Sequence, residues 1–90
     1  MNEKAFIRRA QKLTAMALQT KKSIKCQIQR LDGGRLNFCI THFDKRYGTD
    51  GSPFNNHSIN VYTHGNDDCF YEAWSFINRI LSGEDALIGY

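Results

Sequence analysis

Three cysteines and three histidines are the residues of this 90-residue chain best suited to chemistry. A structural zinc ion takes four such ligands, usually from closely spaced pairs. Cys39 and His42 are three apart in an alternating segment, which puts them on opposite faces of a strand. Cys-x-x-Cys and His-x-x-x-His spacings are absent. As a nucleophile, Cys39 would face solvent with His64 one strand over, but no helix N-terminus or positioned base is set to activate its thiol. The paired carboxylates Asp67 and Asp68 sit where a helix should begin and are explained by its dipole. A P-loop, a dinucleotide fingerprint and an H-E-x-x-H motif are all missing. The expectation is a non-enzymatic protein with no metal and no cofactor. An odd, small number of cysteines further argues for a reducing compartment, hence the cytoplasm.

Five elements would position these residues. Phe6, Ala10, Leu13 and Ala17 recur at helical spacing over residues 3–20, flanked by Ile7, Thr14 and Leu18, with Lys4, Arg8 and Lys12 four apart on another face. Residues 23–31 alternate, with Ile24, Cys26 and Ile28 pointing one way. Asp32-Gly33-Gly34 signals a hairpin, and residues 35–43 alternate again with Leu36, Phe38 and Ile40 inward. A three-residue turn sets Ile28 opposite Phe38 and Cys26 opposite Ile40, so all apolar side chains share one face and Cys39 points outward. Residues 57–64 form a third strand with Ile59 and Val61 inward. Asn66 is a fitting N-cap for a second helix over 67–81, whose apolar face takes in Cys69, Phe70, Ala73, Trp74, Phe76, Ile77, Ile80 and Leu81; Gly83 would stop it.

The predicted architecture is α+β, in the order helix, three-stranded antiparallel sheet, helix (α-β-β-β-α). Both helices pack on one face of the sheet, because each element has one apolar side to bury. Ninety residues with 41% apolar content suffice for one core, so residues 1–90 form a single domain. No apolar run is long enough to span a membrane, and the N-terminus carries charges throughout.

Charge is divided between the halves. Residues 1–46 hold eleven of the twelve Lys and Arg against three acids, a balance of +8; residues 47–90 hold one against six, a balance of −5. Such asymmetry bears on partners rather than on fold. Residues 44–56 make an irregular excursion much longer than a connection between neighbouring strands requires, and loops of that length tend to carry recognition. Lys45, Arg46, Tyr47 and Phe54 are its candidate contacts, joined by Arg8 and Lys12 on the first helix and by Tyr62 on the sheet's outer face. That face also shows Lys25, Gln27, Gln29, Arg35, Asn37, Cys39, Thr41 and Asn60.

Two resemblances bear on function. The element order resembles the double-stranded-RNA-binding domain across nearly the whole chain, which implies an RNA- or DNA-binding module using the basic first helix and the 44–56 loop. The chain departs from that family at Asp67-Asp68, where the family has a lysine cluster, and at Asp32-Gly33-Gly34, where it has a Gly-Pro-x-His type motif. In size and layout the chain also resembles the small antagonists made by phages and mobile elements, of the anti-CRISPR kind. That likeness implies a stand-alone inhibitor or adaptor that blocks a nucleic-acid-handling partner protein by steric occupation. The oppositely charged halves equally suit self-association. The expectation is the inhibitor or adaptor, with nucleic-acid binding as the alternative.

Overall fold

The computed structural model describes residues 2–44, 56–65 and 68–82. Its elements are α1 (Glu3–Leu18), β1 (Ile24–Arg30), β2 (Leu36–Phe43), β3 (Asn56–Tyr62) and α2 (Asp68–Ser82). The order is the one expected, and every described element falls within two residues of its expected bounds. Lys45, Arg46, Tyr47 and Phe54, the cap Asn66, Asp67, the stop at Gly83 and the rest of the tail lie outside the described residues.

α1 begins because Asn2 caps it. The Asn2 side-chain oxygen accepts the Ala5 N–H at 2.8 Å, satisfying one of the amides that the first turn leaves without a carbonyl. The helix buries Phe6, Ala10, Leu13 and Ala17, the stripe that the spacing predicts. Its start is tied to the end of β1 by Arg30, whose Nη1 donates to Glu3 Oε1 at 2.8 Å and to the Gly34 carbonyl at 2.7 Å. The hydrogen bond and charge of Arg30 hold the Glu3 carboxyl below its ordinary pKa. Both partners are exposed, so the pair aligns the elements more than it stabilises them.

The sheet has strand order β1-β2-β3, both pairings antiparallel. Ile28 stands opposite Phe38 and Cys26 opposite Ile40, which is the register argued from the apolar pattern. The turn closes as Leu31 N–H donates to the Arg35 carbonyl at 2.7 Å and Gly34 N–H to the Leu31 carbonyl at 3.1 Å. Gly33 and Gly34 have φ of 87° and 85°, the left-handed region that L side chains resist. Nothing lies within 4 Å of a Cβ added at either position, so a substitution there meets only backbone strain. Gly34→Ala is expected to lower stability by about 1 kcal/mol and Gly34→Asn by less, in urea titrations, since Asn tolerates this region better.

Both helices cover the same face. Phe38 and Ile40 on the central strand are fully buried there together with Val61, Phe6 and Phe76. The Phe70 ring meets Phe6 edge-on at 5.1 Å and stacks on Phe38 at 6.4 Å, so one side chain of α2 joins α1 to the sheet. Burial raises the Cys26 thiol pKa, outweighing a hydrogen bond with Thr14 of α1. Cys26 is partly buried and packs against the core.

His42, 1% exposed, completes the inner face of β2 after Leu36, Phe38 and Ile40. It pairs in register with His57, and both rings approach Phe76, at 6.5 Å and 5.5 Å respectively. Burial pulls the His57 pKa below its ordinary 6.5. The unfolded chain then binds this proton more readily than the folded chain does. The associated stability is complete above about pH 6.5 and is lost as pH falls through the depressed folded value. Melting temperature is thus expected to drop over that window, and His57→Gln should flatten the drop; an unchanged slope in the variant would assign it to other groups.

The opposite face of the sheet is polar and largely bonded to itself. Gln27 donates to Gln29, Gln29 to Asn37 and Asn37 to Asn60, an amide row crossing all three strands at 3.2–3.3 Å. Thr41 and Ser58 share a further hydrogen bond at 2.8 Å. Asn37 is buried although it faces away from the core, flanked by Gln29 and by its register partner Tyr62. Its amide also reaches the Val61 carbonyl at 3.4 Å, so its burial is compensated.

Candidate binding cleft

Two helices laid side by side on three strands leave a furrow between their upper flanks. Here it is a cleft of about 480 Å³, within the range of ligand pockets. α1 supplies Arg9, Lys12, Leu13 and Met16, spaced so that they fall on one stripe. α2 supplies Phe70, Tyr71 and Trp74. The lining is mostly apolar, and its charges stand on the α1 wall alone.

The apolar face expected for α2 included Trp74 and Leu81 as core residues. The structure corrects this: Trp74 is 46% exposed and Leu81 41%, while Phe70, Ala73, Phe76, Ile77 and Ile80 are buried. The reason is geometric. A helix lying on a sheet buries only the arc that meets the strands and the neighbouring helix, and the apolar arc of α2 is wider than that. Trp74 and Leu81 are the surplus, and the 66%-exposed Tyr71 lies just beyond that arc. Tyr71 and Trp74 stack with ring centroids 5.9 Å apart, forming an aromatic wall. Across from it the Arg9 guanidinium lies 5.7 Å from the Phe70 ring centre, within cation–π range.

Of the residues singled out in the sequence, Lys12 lies in the cleft wall, and Arg8 is exposed one turn before it on α1. Tyr62 is on the far side of the molecule, on the sheet's outer face, where its ring lies 5.4 Å from that of His64. The described candidates thus divide between two opposite surfaces. Arg9, Met16, Tyr71 and Trp74 were missed as contacts. Tyr71 was the one legible sign, an aromatic outside the apolar stripe of α2.

Among the described residues no group of three or more His, Cys, Asp or Glu is placed to hold a metal ion, and no helix is long and apolar enough to cross a membrane. The arrangement defines an α+β domain with an open three-stranded sheet and an aromatic, one-sidedly basic cleft. Comparison with family models, with curated proteins and with solved structures finds no match for this chain.

Proposed function

We propose that this protein works by binding, as a small non-enzymatic inhibitor or adaptor that occupies a surface its partner protein needs, with the α1–α2 cleft as the anchoring site. The observation that carries the reading is the exposed Tyr71–Trp74 stack beside Arg9 and Lys12. Trp, Tyr and Arg are enriched at interface hot spots, and the two aromatics bury large area at small entropic cost. The sheet's outer face supports binding less well, since its amides and hydroxyls already bond to one another. The basic stripe of Arg8, Arg9 and Lys12 suits an acidic partner surface, including one shaped to receive nucleic acid. Direct nucleic-acid binding finds less support: the first turn of α2 carries Asp68, which would repel phosphate.

The test is capture of partners from a host extract by the immobilised protein and by its Trp74→Ala variant, with and without nuclease. A protein that survives nuclease and is lost with Trp74→Ala supports the reading. Retention of nucleic acid, with proteins released once it is digested, overturns it in favour of the basic helix as a nucleic-acid surface.

A further inference from the structure

We propose that the outer edge of β1 is a strand-addition site, which takes an extended segment of another protein as a fourth strand of the sheet. This surface is separate from the cleft and lies at the other flank of α1. The register shows which backbone groups it offers. Phe43 N–H donates to the Ser23 carbonyl and Leu31 N–H to the Arg35 carbonyl, and residues 24–30 pair with β2 without a break between these two bonds. In an antiparallel ladder, hydrogen-bonded pairs alternate with non-bonded ones. Lys25, Gln27 and Gln29 therefore direct their N–H and C=O groups to β2, whereas Ile24, Cys26, Ile28 and Arg30 turn theirs outward. Among the described residues no hydrogen bond reaches these outward groups. Exposed edges are commonly blunted by a proline, a bulge or an inward-pointing charge. β1 has none of these over its seven residues, and its inward positions are Ile24, Cys26 and Ile28.

The side chains say what the added strand must carry. α1 runs antiparallel to β1: Glu3 reaches Arg30 at one end, and Thr14 hydrogen-bonds with Cys26 midway. Ile7, Thr14 and Leu18, seven and four residues apart, form the flank of α1 that turns away from the cleft. Leu18 on this flank is 60% exposed, and Ile28 on the edge 38%. A strand with apolar residues at alternate positions would lie under this flank and cover both. Its other side chains join the outer face of the sheet, beside Lys25. Residues 20–31 hold Lys21, Lys22, Lys25 and Arg30 and no acid, so the matching segment is acidic on that side. A second copy of this chain does not fit. α1 stands over β1 and α2 over β3, so each edge strand has a helix above it. Pairing two such edges would bring two helices within roughly 5 Å, one strand spacing, where packed helices need about 8–10 Å. The occupant is therefore an extended segment with no helix above it, as in other cases of strand addition.

Selection from a displayed library of random peptides, followed by amide hydrogen exchange measured by NMR, tests this. Enriched peptides are expected to alternate apolar and polar residues, with acids among the polar ones. In the free protein the Cys26 and Ile28 amides should exchange fast and those of Gln27 and Gln29 slowly. Saturation with an enriched peptide should slow Cys26 and Ile28 by at least about tenfold. Ile28→Pro removes only an outward N–H, which an edge strand tolerates, and Ile28→Lys points a charge inward. Each should weaken peptide binding by at least about tenfold. Circular dichroism will confirm the fold, and if Ile28→Pro fails to fold, Ile28→Lys alone decides. Enriched peptides without alternation, or none enriched at all, overturn the proposal. So does binding that leaves the Cys26 and Ile28 amides fast, or that survives these substitutions. Peptides lost with Trp74→Ala and kept with Ile28→Lys would belong to the cleft and likewise overturn it.

Discussion

Phe38→Ala is expected to cost about 3–5 kcal/mol of folding free energy, enough to leave much of the protein unfolded near body temperature. Phe38 sits at the centre of the central strand with no exposed surface. Its ring is flanked in register by Ile28 and Val61 and is covered from above by Phe70. Truncation removes the transfer free energy of the ring and opens a cavity that two paired neighbouring strands prevent from closing. In a domain of this size each kcal/mol lowers the melting temperature by roughly 4–8 °C, so a fall of more than about 12 °C is the expected reading. Phe43, at the end of the same strand and 44% exposed, provides the contrast. Phe43→Ala should stay within about 0.5–1 kcal/mol. Equal losses at the two positions would contradict the core as described.

Trp74→Ala is expected to do the reverse, sparing the fold and removing the interaction. The side chain is 46% exposed and packs against Tyr71 rather than beneath the sheet, so stability should change by about 1 kcal/mol or less. A hot-spot aromatic contributes about 2 kcal/mol or more, and so partner affinity should fall at least about 30-fold in calorimetric titration. Tyr62→Ala is the matched control on the opposite face. If Tyr62→Ala lost as much affinity and Trp74→Ala none, the binding surface would be the sheet rather than the cleft.

The two positions differ in how far the chain's pattern discloses them. Phe38 is legible because a strand has a period of two, so Leu36, Phe38 and Ile40 declare their face without help from any neighbour. His42 follows the same alternation, and it is hidden only by its polar type. Trp74 is not legible in that way. Helical periodicity says that it belongs to an apolar arc, but not where along that arc the neighbours stop. The same ambiguity applies to Ile28, on the inner face by register yet 38% exposed because its strand is an edge.

Local rules were therefore sufficient for the elements, the hairpin register and the side of the sheet that each residue takes. Period, turn chemistry and the need to keep apolar side chains on one face are all properties of short stretches of chain. The cleft is a property of two helices 50 residues and more apart in sequence, and its existence depends on how closely they lie on three strands. That spacing decided that Lys12 and Trp74 would line one cleft. It also left the widest apolar arc of the molecule partly uncovered, because a three-stranded sheet is too narrow to bury all of it.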